Sequence, residues 1–342
     1  MFLSPETDRR RLPVLLLTGF LGSGKTTLVN RLLADPRLAD TAVAVNEFGE
    51  VPLDQHLIDH GADRTIVLAN GCLCCNLAGN FEDAAMRVFT RRVAGEIPRF
   101  ARLVIEPSGL ADPAPIAQAL LRNPVLARAF RLEAIVATAD ATRIEAQCDR
   151  HPEAGRQLAL ADLVVMTKTD LAPPGEVARV AGVLRAMVPV APIAASGLDV
   201  AMLPAGFLDR ALPAAPQRAR FSALAAPAPP LRAGTHLGAT EAVSLIADRP
   251  LRWRAVEAWL REIRLTHAET LLRVKGLLDL AGAPGPVLIQ GVGHVLEAPV
   301  AWQAWPDQDR RSRLVLILRG APGGPIRRDW DRALPRLFAD PA

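Results

Sequence analysis

The chain has 342 residues, 50% of them hydrophobic and 22% charged, with a net charge of +4. That is the composition of a water-soluble globular protein with length for two domains, each with its own core. The positive surplus is arginine scattered through helical stretches, without a dense block and with only 4% aromatic residues, which argues against a nucleic-acid partner.

At the N-terminus, MFLSPETDRRR places its charges after a very short apolar stretch, the wrong order for an export signal, and no run is long enough to span a bilayer. A cytoplasmic protein with no membrane partner is expected, with residues 1–12 as a tail. The first apolar run, 14–17, breaks into Gly19-Phe20-Leu21-Gly22-Ser23-Gly24, followed by Lys25-Thr26-Thr27 and an amphipathic segment. Strand, G-x-x-x-x-G-K-T and helix together form a phosphate-binding loop. Backbone N–H groups of the loop and the helix N-terminus cradle phosphate oxygens, Lys25 adds a point charge, and the Thr26 hydroxyl is placed to ligate Mg²⁺.

Further apolar runs follow at 42–45, 66–68, 103–105, 134–137, 163–166 and 188–193. Short buried runs alternating with longer segments predict an α/β domain, residues 13–204, around a mostly parallel sheet flanked by helices. Just beyond the runs lie Asn46-Glu47, Asn70-Gly71-Cys72, Glu106, residues 138–140 and residues 167–170, at the strand ends where open α/β sheets bind ligands. Glu47 and Glu50 read equally well as acids beside a γ-phosphate or as a helix-start turn. Glu106, in IEPSG, occupies the place of a Walker-B-like acid holding Mg²⁺, and the Gly109 N–H can reach a γ-phosphate. In TKTD, Asp170 can accept both donors of the guanine N1/N2 edge, and the stem of Lys168 packs across the base or the loop. Only three lysines, Lys25, Lys168 and Lys275, stand among 40 basic residues. The first two fall in these motifs; Lys275 has no such assignment.

Cysteine is equally uneven: Cys72, Cys74 and Cys75 lie within four residues, and Cys148 is alone. No disulfide framework follows, which fits a reducing compartment. A looped C-x-C-C can converge its sulfurs on a soft cation such as Zn²⁺ or Co²⁺, and no second ligand pair is present to close a structural zinc site. Buried hydrophobes and a redox centre are the competing readings of these thiols; Cys148 reads as core. The six histidines are dispersed, and His294 reads as structural.

Between 205 and 233 the pattern lapses into Ala, Pro and Arg, an extended linker. In the final unit, 234–342, strands are expected at 240–246, 271–280, 286–296 and 313–319, and helices at 251–263 and 326–338, giving a small α+β domain.

With TGFLGSGKTTL, VNEFGEVPLD, LANGCLCCNL, IEPSGLADPAPI and TKTD in that order, and LLRVKGLL and LIQGVGHV after them, the chain resembles the CobW-like GTPases, a family of metal chaperones and metalloprotein activators. The resemblance covers nearly everything but the linker and the two tails. It implies a G domain that hydrolyses GTP with Mg²⁺ and binds Zn²⁺ or Co²⁺ at the C-x-C-C loop; slow intrinsic turnover is expected. By motif, Gly19, Gly22, Ser23, Gly24, Lys25, Thr26 and Thr27 hold phosphates and Mg²⁺, and Glu106 is the Mg²⁺-side acid, with Lys25, Thr26 and Glu106 the catalytic set. Glu47 and Gly109 flank the γ-phosphate, Lys168 and Asp170 read guanine, and Cys72, Cys74 and Cys75 hold the metal. The implied partner is a client metalloprotein or metal-insertion enzyme, with a homodimer left open. Two departures stand out: Thr167 in place of the usual Asn of N-K-x-D, and the lack of a histidine-rich stretch, which favours delivery over storage. The rival readings are a P-loop kinase or ATPase with incidental cysteines, and a zinc or redox sensor stabilised by nucleotide.

Overall fold

The structure is a computed structural model that describes residues 10–45, 65–67, 77–188, 191–195, 199–208, 240–306, 308–320 and 323–338. Its first part runs β1 (Leu12–Gly19), α1 (Lys25–Ala34), β2 (Thr41–Val45), β3 (Thr65–Val67), α2 (Leu77–Ala94), β4 (Arg102–Glu106), α3 (Ala114–Arg122) and α4 (Pro124–Ala129). It continues with β5 (Phe130–Asp140), α5 (Ile144–Arg150), α6 (Pro152–Ala159), β6 (Leu163–Thr167), α7 (Glu176–Met187) and β7 (Ile193–Ala194). Every strand pairing is parallel, in the order β3-β2-β4-β1-β5-β6-β7.

β1 shows why a continuous apolar run becomes a central strand. Leu12, Val14 and Leu16 pack with Phe81, Ile116 and Leu120 on one face. Leu15 and Leu17 meet Leu28, Leu32 and Phe207 on the other. Each such leucine contributes about 2 kcal/mol by leaving water. The first crossover steps from β1 to β2, and the chain later returns to β5 on the other side of β1. The order therefore reverses around β1, and the crevice at its C-terminal end opens over the phosphate loop.

The second part is a six-stranded antiparallel sheet, order β11-β10-β9-β13-β8 with β12 also on β10. Its elements are β8 (Thr240–Ala247), β9 (Leu271–Leu278), β10 (Val287–Val292), β11 (Val295–Leu296), β12 (Val300–Ala301) and β13 (Ser312–Arg319). Two helices cover one face: α9 (Trp253–Thr266) brings Val256, Trp259, Leu260 and Ile263, and α10 (Gly324–Leu337) brings Ile326 and Trp330. Trp259 and Trp330 meet edge to face at 4.9 Å, and the Trp259 indole N–H donates to Asp329 at 2.9 Å. The opposite face, with Leu277, Leu288, Trp302, Val315 and Ile317, packs against Ala159 at the end of α6.

The two parts are joined by buried charge as well as apolar contact. Asp162, just before β6, accepts from Arg273 at 2.9 Å on both oxygens and from Lys275 at 2.8 Å. It also accepts the Ile135 N–H at 3.0 Å. Lys275, unassigned in the sequence, is thus part of an interdomain clasp. Arg11 pairs with Glu297 at 3.1 Å, and Gln118 on α3 donates to the Val292 carbonyl at 3.2 Å.

Several expected boundaries shift. The strand expected at 188–193 reduces to Ile193–Ala194, with Val188 capping α7. Pro192 has no N–H to give the ladder; only its carbonyl takes part, accepting the Val164 N–H. The strand expected at 286–296 is a hairpin, because Gly293, at φ 56°, turns the chain between β10 and β11. The helix expected from 251 starts at Trp253, since Leu251 instead bridges to Leu280 and Phe338. The first residues of the expected 205–233 linker form a short helix, α8 (Ala205–Leu208). Phe207 is fully buried there, and the Arg102 guanidinium donates to the carbonyls of Phe207 and Leu208 and pairs with Asp40. Residues 209–233 and Leu68 lie outside the described residues.

Candidate functional site

The phosphate loop hangs between the end of β1 and the start of α1. Gly19, Gly22 and Gly24 have φ of 142°, 69° and 90°, a region costly for other residues. A Cβ on Gly19 would sit 2.7 Å from the Ser23 hydroxyl and the Thr138 carbonyl. Ser23 and Thr138 share a buried hydrogen bond of 2.6 Å, so the end of β5 braces the loop. Gly22 has nothing within 4 Å of a built Cβ, leaving the outer rim of the loop open. Lys25 is 8% exposed, and its ammonium donates to the Gly19 carbonyl at 3.0 Å, with the Phe20 carbonyl at 3.5 Å. Thr27 faces solvent.

In the first turn of α1, the Thr26 hydroxyl donates to Glu106 Oε1 at 3.1 Å. The two residues are 80 positions apart, brought together because β4 is the parallel neighbour of β1. A hydroxyl and a carboxylate are the hard oxygen ligands Mg²⁺ requires, so this pair fits a magnesium nucleotide. Gly109 completes this side: a Cβ on it would lie 2.7 Å from the Leu21 N. Its loop is held by Gln157 on α6, whose amide donates to the carbonyls of Gly109 and Ala111, both at 3.0 Å.

TKTD follows β6 on the other side of the loop. Thr167, where the motif usually has Asn, donates its hydroxyl to the Ser23 carbonyl at 2.7 Å, with Ala139 O at 3.3 Å. The tie between this strand end and the phosphate loop is thus made by a hydroxyl in place of the usual amide. Lys168 is the one described non-glycine residue with positive φ, 53°, and its ammonium lies 2.7 Å from Asp140 Oδ2. Asp140 also accepts from the Thr142 N–H at 2.9 Å and hydroxyl at 2.7 Å. Burial alone would raise the Asp140 carboxyl; the Lys168 ammonium and the two Thr142 donors outweigh it, leaving the pKa below the ordinary aspartate value. Asp170 is exposed at the turn.

The structure thus brings together Gly19, Gly22, Ser23, Gly24, Lys25, Thr26, Glu106 and Gly109, with Lys168 and Asp170 one strand away. Glu47, Glu50, Cys72, Cys74 and Cys75 lie outside the described residues, and among the described residues no group of His, Cys, Asp or Glu could hold a metal ion. Cys148 is core, 4% exposed. Sequence reasoning missed the roles of Thr138, Asp140 and Gln157. The first two lie in the polar stretch that ends the run at 134–137; no sequence signal marks Gln157, whose partners are backbone carbonyls.

No helix among the described residues is long and apolar enough to cross a membrane. Residues 13–195 match the family described as CobW/HypB/UreG, nucleotide-binding domain, and residues 240–334 match the cobalamin synthesis protein cobW C-terminal domain. The zinc chaperone YjiA of Escherichia coli is 33% identical over 313 residues, 89% of this chain and 93% of that protein. The zinc chaperone CobW of Pseudomonas aeruginosa is 30% identical over 354 residues, 92% of this chain and 89% of the relative. The crystal structure of Zn(II)-bound YjiA GTPase from E. coli superposes with a TM-score of 0.66 at 27% identity, over 96% of this chain and 99% of that one. A parallel sheet whose phosphate loop is braced from both neighbouring strands, followed by an antiparallel sheet that matches its own family, identifies the whole: the chain belongs to the CobW family of P-loop nucleotide-binding proteins.

Proposed function

We propose that this protein is a GTP-hydrolysing metal chaperone that holds zinc or cobalt at Cys72, Cys74 and Cys75 and delivers it to a client metalloprotein or metal-insertion enzyme. The observation that carries the nucleotide half is the Thr26–Glu106 contact of 3.1 Å beneath the phosphate loop. Residues 13–204 act as the GTPase domain, extended by α8, and residues 234–342 as the C-terminal domain, joined through the rest of the 205–233 linker. Lys25 and the loop amides bind the phosphates, Thr26 and Glu106 would hold Mg²⁺, and Lys168 and Asp170 select guanine. Bound there, Mg²⁺ neutralises charge on the β- and γ-phosphates. Thr26 and Glu106 orient that edge of the site, the Gly109 loop packs on Leu21 beside it, and turnover is intrinsically slow. The zinc named for YjiA and for the Pseudomonas CobW supports a thiolate-loving metal as the cargo.

In the proposed cycle the GTP state tightens the cysteine loop and the GDP state releases the metal, so metal and nucleotide affinities are reciprocally linked. Chelator competition for Zn²⁺ and Co²⁺ with no nucleotide, with GDP or with a non-hydrolysable GTP analogue reads this directly. The analogue is expected to tighten metal binding at least about tenfold, about 1.4 kcal/mol of coupling, and Cys72/Cys74/Cys75→Ala protein loses the effect. Equal affinity in all three states would overturn the transfer mechanism and leave a nucleotide-binding protein with an uncoupled thiolate site.

A further inference from the structure

On the C-terminal domain, a groove of ≈ 350 Å³ runs between α9 and the segment 296–299. Arg254, Arg261 and Arg264 line it from the helix. None of the three has a hydrogen bond or ion pair to any described residue. Arg264 is the informative one: it is half-buried, and its Nε is shut off from solvent with no hydrogen-bond partner. Burial also holds its guanidinium below the usual arginine range. The terminal amino groups of the same guanidinium are not shut off in this way, and they are the donors that an anion in the groove would meet.

The acids nearby do not supply that anion. Glu297 is 7% exposed and already engaged by Arg11 and Gln290. Glu257 is exposed and pairs with no described residue, so three arginines against it leave a surplus of positive charge along the groove. Leu296 and Pro299 form an apolar wall opposite. At 1.5 Å of rise per residue, Arg254 and Arg264 are separated by about 15 Å along the helix. That span is too long for one phosphate and suits carboxylates spaced along an extended peptide. β11, at the mouth of the groove, packs on α3, and α3 packs on α2, which begins two residues after the Cys75 of the proposed metal loop.

We propose that this groove recognises an acidic segment of the protein that receives the metal, pairing its carboxylates with Arg254, Arg261 and Arg264 and seating an apolar side chain against Leu296 and Pro299. This rests on the chaperone reading for the identity of the partner; the recognition chemistry stands on the groove alone. Bidentate arginine–carboxylate pairs supply register, and the surplus charge raises the rate of encounter.

The test is fluorescence anisotropy with the full chain, free of nucleotide and added metal, against a labelled twelve-residue peptide of alternating Glu and Leu and its Gln counterpart. The acidic peptide is expected to bind at least tenfold tighter than the Gln peptide at low salt. Binding should weaken at least fivefold in R261Q/R264Q and also in R254Q/R261Q, whose residues are both exposed, so that their replacement leaves folding intact. GTP turnover should be unchanged in both. Equal binding to wild type and to R254Q/R261Q, or equal binding of the two peptides, would overturn the proposal. So would displacement of the peptide by inorganic phosphate at the same charge concentration, which would mark a small-anion site. Because nucleotide and metal are absent from this measurement, its failure is separate from failure of the GTP–metal coupling above.

Discussion

Both sheets of this protein are buried on two faces, yet only one of them assembles a reactive edge. In the parallel sheet every strand runs the same way, so the ends of β1, β4, β5 and β6 arrive on one side. Glu106, Thr138 and Thr167, drawn from positions far apart in the chain, come within hydrogen-bonding distance of the phosphate loop or its first helical turn. In the antiparallel sheet successive strand ends point to opposite sides, and the polar groups it buries serve as joints: Arg273 and Lys275 reach Asp162, and Glu297 reaches Arg11. Direction of pairing, more than residue composition, separates a nucleotide-binding edge from a buttress.

The two roles meet in residues 157–162. Gln157 holds the loop that carries Gly109, Ala159 packs against the antiparallel sheet, and Asp162 receives its two cations. Breaking the joint is the severest test of the comparison. Asp162→Asn removes the carboxylate and leaves Arg273 and Lys275 buried without their acid. The expected loss is about 3 kcal/mol of unfolding free energy, read by urea denaturation. If the antiparallel sheet is only a buttress, GTP affinity at temperatures where the variant is folded should fall less than its stability does. A variant as stable as wild type would mean that the apolar contact alone fastens the two sheets.

A smaller effect is expected at the edge itself. Asp140→Asn weakens the hold on Lys168, whose left-handed backbone otherwise has a buried carboxylate to pay for it. GTP should bind about tenfold more weakly, about 1.4 kcal/mol, with kcat little changed, because Asp140 acts through Lys168 and not on the phosphates. The sign of the pH dependence follows from the lowered folded value of Asp140. Its contribution is complete above the ordinary aspartate range and is lost only as pH falls through that lowered value. Wild-type GTP affinity should therefore show no loss from this group between about pH 8 and about pH 5. A loss of affinity centred near neutrality that Asp140→Asn abolishes would count against the assignment.

Legibility in the sequence followed the same division. The parallel sheet announced itself because fully buried strands are unbroken apolar runs: 14–17, 42–45, 103–105, 134–137 and 163–166 all lie inside observed strands. Glycine and charge at their ends located the phosphate loop, Glu106 and TKTD. The antiparallel part was readable as helix and strand but not at its turns, where Gly293 divides one apolar stretch into two strands and Leu251 is drawn into a bridge. Hidden from the sequence were groups whose partners are fixed only by tertiary packing. Gln157 reads as an ordinary helical amide, Thr167 reads as a departure from the motif, and Lys275 reads as unassigned.

The smallest effect expected is none, and it sharpens the contrast between the edge of the parallel sheet and its body. Cys148 sits on α5 among Ile144, Ala154, Leu158 and Val164. Burial first, then the Asp149 and Glu145 carboxylates, pushes its thiol up to about 12. Thiolate is the form that alkylates and binds metal, so at neutral pH this residue is inert for two reasons, access and protonation. Native protein treated with iodoacetamide and mapped by peptide mass should show Cys148 unmodified, with modification appearing only after denaturation. Cys148→Ala should leave metal stoichiometry, GTP turnover and their coupling unchanged. Rapid labelling of Cys148 in the folded protein would place a reactive thiol inside the sheet's helical layer and dissolve the distinction between an inert body and a ligand-binding edge.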